Sequence, residues 1–347
     1  MLCASNSNCN RISSFRFLKM WLHHPGISEV VKDSWSQPVC GCPMFILSNK
    51  LKRLKMVLKD WNANVFGNLH QRVKEAWSNV DTIQRCINDN GPDNDLLKQE
   101  SLAQISVLKA LAMEEDYWKE KSRLNWQISG DRNTSFFHKV TKIRQVTKSM
   151  SIMKDGDCIL TKQEDISNLA LRYFTDIFAS PNATTPNQLI NQVVPNIILE
   201  EENQFLIKSP SVEEIKDSVF SLNADGAPGP DGFGGGFYQN FWDVVKDDVC
   251  NSVHQFFSQG WLLSNLNSNY VVLIPKSANA DKMDDFRPIA LANFQFKIIS
   301  KILADRLAII AARIVSPQQK CFIKNRHIQD CIFLTLLFVI LHLTFFT

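Results

Sequence analysis

The chain has 347 residues, of which 45% are hydrophobic and 21% are charged, and its formal net charge is +3. This length leaves room for two or three domains of roughly 100 to 200 residues, and the composition excludes a disordered or collagen-like chain. The small net charge hides a basic first half, because residues 1–150 carry 22 lysines and arginines against 14 aspartates and glutamates.

The cysteines and the N-terminal sequence predict a reducing compartment. The nine cysteines are irregularly spaced, and MLCASNSNCN has no apolar segment typical of a secretory signal. We therefore expect an intracellular protein of the nucleus or the cytoplasm, with no choice between the two. Cys40 and Cys42 lack a second pair at zinc-binding spacing, so no metal site is predicted there.

The last sixteen residues are almost wholly apolar. They are fewer than the roughly 20 residues that span a membrane, so no membrane partner is expected. We interpret residues 336–347 as a tail that is foreign to the rest of the chain and arose by a frameshift or by read-through of a non-coding stretch.

Two long helices are predicted in the first half of the chain. Apolar residues recur every three or four positions from Leu51 to Ile87, and a second amphipathic run extends from Leu97 to Trp118. Gly91 and Pro92 break the pattern between them, so the two helices are expected to form an antiparallel hairpin. The apolar side of the second helix is expected to comprise Leu97, Leu102, Ile105, Leu108, Ala112 and Trp118.

A β-hairpin and two capped helices follow. The sequence MSIMKDGDCIL (150–160) predicts a hairpin that turns at Asp155 and Gly156. The stretches from Thr161 to Glu164 and from Ser211 to Glu214 have the capping-box pattern that begins a helix. The second of these helices ends at GAPGPDGFGGGF, residues 226–237.

This glycine- and proline-rich stretch does not match a phosphate-binding loop. No lysine ends it as in a Walker loop, and Phe237 stands where the dinucleotide pattern needs a glycine. Pro228 and Pro230 also remove two backbone donors. We expect a rigid turn that leads into a helix with apolar residues from Phe241 to Phe257.

A second hairpin presents two cations. A β-branched strand from Val271 to Ile274 and the short strand RPIAL (287–291) place Lys276 and Arg287 near its turn. A lysine point charge and an arginine fork suit a polyphosphate; two surface cations beside a turn are the structural alternative. A basic amphipathic helix from about Phe296 to Ala311 follows.

Five blocks between Gly226 and Cys331 carry a family resemblance: GAPGPDGF, VLIPK, DFRPIAL, KIISKILADRL and SPQQKCFIKNRHIQDCI. In this order they resemble the N-terminal half of the reverse transcriptase of non-LTR (LINE-type) retrotransposons. Upstream, residues 118–140 resemble the segment that joins endonuclease to polymerase in plant elements of this kind, and residues 15–35 resemble the end of their apurinic-type endonuclease.

The resemblance implies an α+β fold, mostly helical, in which a long antiparallel helical hairpin precedes the fingers and partial palm of a right-hand polymerase. The implied segments are 1–49, the remnant of the endonuclease C-terminal end; 50–148, a helical linker with a basic segment; 149–200, a small hairpin-helix region; 201–335, the reverse transcriptase fingers and the start of the palm; and 336–347, the apolar tail.

The resemblance also implies roles for single residues. Lys276 and Arg287 match the residues that hold the triphosphate of the incoming nucleotide. The template and primer path would be lined by Pro228, Gly229, Pro230, Asp231, Gly232, Gln319, Phe322 and Arg326. Two positions depart from the family's pattern: Gly226 stands where a lysine is common, and Asn325 stands where a glycine is usual, at a turn expected to need positive φ.

Nucleotidyl transfer needs two metal ions held by carboxylates. In the resembling family an aspartate strand shortly after QDCI and a later Asp-Asp hairpin supply them, whereas no acidic residue follows Asp330 here. The pairs Asp247–Asp248 and Asp284–Asp285 lack the family's flanking strands. We therefore expect a truncated, catalytically inactive fragment of an RNA-directed DNA polymerase, with no catalytic residue, metal ligand or cofactor of its own, although the intact family uses Mg²⁺.

Two other functions remain open. A non-catalytic module could bind RNA or DNA through a basic segment in which Trp118 and other aromatic residues alternate with cations. Its contacting residues would be Lys119, Lys121, Arg123, Arg132, Lys139, Lys142 and Arg144. The third reading is a scaffold that dimerises through the helical hairpin; the oligomeric state itself is not predicted.

Overall fold

A computed structural model of the chain describes residues 14–122, 150, 152–179, 192, 197–277, 279–320, 323–327 and 329. The apolar tail and most of the basic segment between 119 and 148 lie outside these residues. Within the described ranges, no helix is both long enough and apolar enough to cross a membrane.

The described chain is mostly helical, with two small antiparallel sheets of two strands each. This agrees with the expected α+β class. The elements are α1 (Ile27–Ser36), α2 (Pro43–Trp61), α3 (Leu69–Asn90), α4 (Asn94–Ser122), β1 (Met153–Asp155), β2 (Cys158–Leu160), α5 (Gln163–Phe178), α6 (Glu200–Ile207), α7 (Val212–Ser221), α8 (Gly235–Asn240), α9 (Trp242–Gln259), β3 (Asn269–Pro275), β4 (Phe286–Ala292) and α10 (Phe294–Ile314).

The predicted antiparallel hairpin is confirmed for α3 and α4. Val80 of α3 is buried together with Ala103 and Val107 of α4. Gln84, near the end of α3, donates a hydrogen bond to Glu100, near the start of α4, at 3.2 Å. The two helices therefore run in opposite directions, as the break at Gly91 and Pro92 predicts.

The prediction of one continuous helix from Leu51 to Ile87 is wrong. Helix α2 ends at Trp61, a π-helical turn occupies Asn62–Phe66, and α3 begins only at Leu69. Gly67 between them has φ 58°, a conformation that glycine adopts without a side-chain clash. The apolar pattern continues across the break because both helices bury their apolar sides, so spacing alone does not reveal the interruption.

The expected apolar side of α4 is also wrong. Leu97, Leu102, Ile105 and Leu108 are 46%, 65%, 44% and 51% exposed, whereas the buried residues are Ala103 and Val107. Helix α4 has two apolar sides, and α3 covers the one with smaller side chains. Periodicity identified an amphipathic helix but could not choose between the two sides.

The largest core joins the beginning of the chain to its second half. Phe15 and Phe17 lie 5.3 Å from Phe233 and Phe237, respectively, between ring centroids. Leucines of α2 and apolar residues of α7, α9 and α10 belong to the same buried cluster. Residues from the intervals 1–49 and 201–335 thus share one core, and the segment boundaries given above stay a prediction.

A second core joins the β1–β2 hairpin and α5 to the β3–β4 hairpin. Met153 and Phe174 are buried with Met283 and Phe286, and the amide of Lys154 donates to the carbonyl of Asp281 at 2.7 Å. The predicted β1–β2 hairpin is confirmed, although Asp155 pairs with Cys158 as the last strand residue and the two turn residues are 156 and 157.

The two predicted capping boxes have different outcomes. Helix α5 begins at Gln163, one residue later than the box at Thr161 requires, and its N-cap residue makes no side-chain capping bond. At α7 the Ser211 hydroxyl does accept a hydrogen bond from the Glu214 amide at 3.2 Å. The Glu214 carboxylate accepts two hydrogen bonds from Arg306 of α10, so its partner is a distant helix.

Candidate nucleotide and nucleic-acid site

The β3–β4 hairpin brings the two predicted cations to one exposed surface. Ile274 pairs with Arg287 across the strands, so their side chains project from the same face. Lys276 lies two residues beyond Ile274 in the same alternation, and its amide donates to the Asp285 carbonyl at 2.7 Å. Both cations are exposed. The predicted hairpin is confirmed, and the joint role of Lys276 and Arg287 stays a prediction.

The opposite face of this hairpin is anchored. Phe286 is only 7% exposed, and Leu273 packs beside it against the second core. The cationic face therefore lies on a sheet whose back is fixed by α5 and the β1–β2 hairpin. Its remaining side chains are apolar, since Val272, Ile274 and Ile289 are 41%, 46% and 40% exposed.

The hydrogen bonds of this face do not neutralise Lys276 or Arg287. The Lys276 ammonium donates to the main-chain carbonyl of Asp284 at 2.5 Å, which does not neutralise it. The carboxylate of Asp284 accepts a hydrogen bond from the Tyr173 hydroxyl, and this bond raises the pKa of Tyr173. Among the described residues, no carboxylate lies within ion-pair distance of Lys276 or Arg287.

The predicted rigid turn is held in place at two glycines. A side chain at Gly229 would come within 2.4 Å of the Asn293 amide nitrogen, and one at Gly232 would come within 2.3 Å of the Phe15 carbonyl oxygen. Gly232 also has φ 86°. The loop from Pro228 to Gly232, here called the GPDG loop, is therefore wedged between the N-terminal segment and the start of α10.

Asp231 is the charged residue of the GPDG loop. Its amide donates to the Asn293 side chain at 3.1 Å, and one carboxylate oxygen accepts from the Phe233 amide at 3.0 Å. Burial raises the pKa of Asp231 to about 6, although the Phe233 amide, Lys55 and Lys297 oppose this rise. Asp231 is thus tied into the protein, and its predicted contact with template or primer stays a prediction.

The other residues of the GPDG loop differ in their exposure to solvent. Gly229 and Gly232 are buried, whereas Pro228 and Pro230 are partly exposed. Lys297 of α10 donates to the Ala227 carbonyl at 2.8 Å, which adds a further bond to the loop. A nucleic-acid strand that passes this loop would contact its prolines before its glycines.

Arg326 has extensive bonds within the protein. Its guanidinium donates to the carbonyls of Ala312, Val315, Ser316 and Gln319 at 2.7 to 3.0 Å. These are the carbonyl groups at and just after the C-terminal end of α10, which have no partners within the helix. The observed contacts are those of a helix cap, and the expected template contact of Arg326 stays a prediction together with that of Gln319.

Two further expectations concern residues 322 and 325. Phe322 lies outside the described residues. Asn325 has φ 64° and is the one non-glycine residue with positive φ among those described. The expectation that asparagine occupies a turn of positive φ at this position is confirmed.

The predicted nucleic-acid contacts of the linker are only partly described. Lys119 forms an ion pair with Glu115 at 2.7 Å, and the Lys121 ammonium lies 4.3 Å from the centre of the Tyr117 ring and 5.4 Å from that of Trp118. The other predicted basic residues lie outside the described residues: Arg123, Arg132, Lys139, Lys142 and Arg144.

Asp248 and Asp284, one from each aspartate pair, have hydrogen-bond partners within the protein. No group of three or more histidine, cysteine, aspartate or glutamate side chains that could hold a metal occurs among the described residues. Asp248, which belongs to one of the two aspartate pairs, accepts from Trp35 and Lys50 at 2.7 Å each. Asp284 of the other pair is bonded to Tyr173.

The sequence analysis missed a set of lysines on α2. Lys52 and Lys59 are exposed on one side of this helix, and Lys55 lies half-buried beside them. Lys55 is close enough to Asp231 for the carboxylate to raise the lysine's pKa against the larger effect of burial. The signal was present as the i, i+3, i+7 spacing within LKRLKMVLKD. The apolar positions of the same stretch repeat at the same spacing and indicate only a buried side of the helix.

The chain has a similar protein among the curated ones. No protein-family model matches the chain. The 149 kDa protein of transposon TX1 of Xenopus laevis is 22% identical over 329 residues, which cover 92% of this chain and 25% of the relative. The chain is similar to a transposon protein. This similarity is in agreement with the resemblance of the sequence blocks, and the chain spans about a quarter of the relative's length.

Proposed function

We propose that the chain is a region of a plant-type retroelement reverse transcriptase that contains the fingers and holds a nucleoside triphosphate between Lys276 and Arg287. The observation that carries this proposal is the shared exposed face of these cations on an anchored hairpin. The similarity to a transposon protein adds support from an independent source.

The chemistry of the two cations is complementary. The Lys276 ammonium is a compact charge, and the Arg287 guanidinium is a planar fork that binds two phosphate oxygens at once. Because Phe286 and Leu273 hold the other face of the strands against the second core, little ordering of the hairpin is needed when the ligand binds. Such preorganisation increases affinity for the triphosphate.

We propose no catalytic step for these 347 residues. Nucleotidyl transfer depends on two closely spaced divalent ions, and the described residues offer no carboxylate cluster to hold them. The chain by itself is expected to bind a nucleotide without joining it to a primer.

Titration with a fluorescent deoxynucleoside triphosphate and Mg²⁺ tests this proposal. Charge-assisted hydrogen bonds contribute about 1.5 to 3 kcal/mol each, so the double substitution Lys276→Ala, Arg287→Ala is expected to weaken binding at least about tenfold. The matched control is Lys98→Ala, Lys109→Ala on α4, which removes the same charge elsewhere. Equal affinity of the double variant and the wild type would refute the triphosphate site.

A primer-extension assay with Mg²⁺ or Mn²⁺ tests the absence of catalysis. The expected result is no incorporation above a mock preparation. Incorporation that the Lys276→Ala, Arg287→Ala variant abolishes would refute the inactive assignment while it supports the nucleotide site.

A second candidate function is nucleic-acid binding without catalysis. The end of α4 favours it, because Lys121 lies over the rings of Tyr117 and Trp118 and an exposed cation next to aromatic rings suits stacked bases. Substitution of Trp118 by alanine is expected to reduce affinity for single-stranded RNA; an unchanged affinity would argue against this candidate.

A further inference from the structure

Helix α2 has two chemically different sides. Leu47, Leu51, Leu54 and Leu58 are at most 4% exposed and pack into the main core. Lys52, Lys55 and Lys59 lie on the outward side. Lys52 and Lys59 are seven positions apart, so at 1.5 Å per residue the three lysines extend over about 10 Å, or two helical turns. These three lysines are here called the α2 lysine stripe.

No ion pair neutralises the α2 lysine stripe among the described residues, although the charge of Asp231 acts on Lys55 from a greater distance. Other cations of this helix have partners: Lys50 pairs with Asp248 at 2.7 Å, and Arg53 donates to the Ser34 and Gln37 carbonyls. Among the described residues, no carboxylate lies within ion-pair distance of the three stripe lysines.

The stripe lysines repel one another in the absence of an anion. The pKa of Lys55 is lowered, first by burial and then by the charge of Lys59, and Asp231 offsets this only in part. A row of uncompensated cations on a fixed helix is a place where a bound polyanion would gain electrostatic free energy.

The position of the stripe relates it to the GPDG loop. The Lys55 ammonium lies 5.6 Å from the centre of the Phe15 ring, and the backbone of Phe15 is the part of the chain against which Gly232 packs. Arg16 is exposed next to it, and the Phe17 amide donates to the Gly232 carbonyl at 2.9 Å. Lys55 therefore links the α2 lysine stripe to the segment that packs on the loop, and Arg16 adds an exposed cation to that segment.

The same outward side of α2 also carries exposed apolar side chains. Phe45 and Met56 are 44% and 56% exposed. A surface of cations with an exposed aromatic ring is typical of single-stranded nucleic-acid binding, in which phosphates meet the cations and a base stacks on the ring.

We propose that the α2 lysine stripe, together with Arg16, binds the phosphate backbone of a single-stranded nucleic acid that passes over the GPDG loop. This surface is separate from the triphosphate site at Lys276 and Arg287. It also lies outside the basic segment between 119 and 148 and outside the basic helix predicted from about Phe296 to Ala311, because α2 precedes both.

The test measures binding of a labelled 20-nucleotide single-stranded RNA and of the matching DNA to the full chain, by fluorescence anisotropy between 50 and 200 mM salt. The test variant is Lys52→Gln, Lys55→Gln, Lys59→Gln. The loss of three phosphate contacts is expected to reduce the slope of log affinity against log salt by about 2 and to weaken binding at least about tenfold at 50 mM salt.

Two control variants distinguish binding at the α2 lysine stripe from a general effect of the protein's net charge. The triple substitution Lys74→Gln, Lys98→Gln, Lys109→Gln removes the same charge from the α3–α4 hairpin and is expected to leave the slope nearly unchanged. The triple substitution of the stripe lysines by arginine keeps the charge and is expected to retain binding. Circular dichroism of all three variants should match the wild type, since none of the replaced side chains is fully buried.

Three results would overturn the proposal: no binding of RNA or DNA by the wild type, an unchanged salt slope in the glutamine variant of the stripe, or equal losses in the two glutamine variants. Binding of an acidic peptide as tight as that of RNA would overturn the assignment to nucleic acid. The variant Lys276→Ala, Arg287→Ala is expected to retain the full RNA salt slope, so failure of the triphosphate site and failure of the stripe are distinguishable.

Discussion

Arg306 provides the sharpest test of how the core is held together. The residue is 2% exposed. Its guanidinium donates to both carboxylate oxygens of Glu214 at 2.7 and 2.9 Å and to the carbonyls of Leu206 and Lys208 at 3.1 and 2.5 Å. It also lies 5.1 Å from the centre of the Phe257 ring. One side chain of α10 thus fixes α6, α7 and α9.

The loss of folding stability depends on which partner of the Arg306–Glu214 ion pair is replaced. Breaking a buried ion pair costs about 3 to 5 kcal/mol because the remaining charge loses its partner. Arg306→Met leaves Glu214, whose side chain is 36% exposed and regains water, so about 3 kcal/mol is expected. Glu214→Gln leaves a buried guanidinium without a carboxylate, so about 4 to 5 kcal/mol is expected.

Urea unfolding followed by circular dichroism measures both effects. With a slope of about 1 to 3 kcal/mol per molar urea, Arg306→Met is expected to lower the unfolding midpoint by about 1 M or more. Arg313→Met is the control, because Arg313 pairs with Glu202 at a more exposed position and should contribute about 0 to 1 kcal/mol. The reasoning is refuted if Arg306→Met costs no more than Arg313→Met, or if Glu214→Gln is milder than Arg306→Met.

Three further outcomes are expected. Asn325→Gly should raise the free energy of unfolding by up to about 1 kcal/mol, because glycine adopts the observed positive φ more readily; a loss of stability in chemical denaturation would contradict this. Burial raises the pKa of Asp231 to about 6, above its unfolded value of about 3.9, so the folded state binds its proton more tightly and stability should fall as pH rises from about 4 to about 6. Asp231→Asn should remove that fall, and identical pH profiles of variant and wild type would exclude the assignment. The double substitution Leu102→Lys, Ile105→Lys should leave the free energy of unfolding within about 0.5 kcal/mol of the wild type, because both side chains are exposed. If sedimentation shows that the wild type self-associates through this surface, the same variant should be monomeric.

The elements that the sequence predicted well are those with local signals. The β3–β4 hairpin follows from two short β-branched segments around a polar turn, and its register pairs Ile274 with Arg287 one residue before the strand ends at Pro275. The α3–α4 hairpin follows from two long periodic runs around Gly91 and Pro92. In each case the residues that decide the structure are neighbours in the chain, so the pattern contains the information.

The features that the sequence did not reveal depend on distant contacts. Trp35 donates to Asp248, which is 213 residues away, and no periodicity connects the two. The side of α4 that is buried was decided by how closely α3 can approach Ala103 and Val107. Arg326 illustrates the same limit at the candidate site, because its bonds to the end of α10 require the folded turn that returns it to the helix.

The contact of Phe15 and Phe17 with Phe233 and Phe237 has a practical consequence for anyone who wishes to isolate the polymerase-like portion. A recombinant fragment trimmed to begin near residue 201 would leave an open hydrophobic socket beside the GPDG loop where these two aromatic rings belong. Such a fragment should precipitate or bind detergent, and residues 14–61 supplied as a separate peptide should rescue its solubility, because the leucines of α2 belong to the same core.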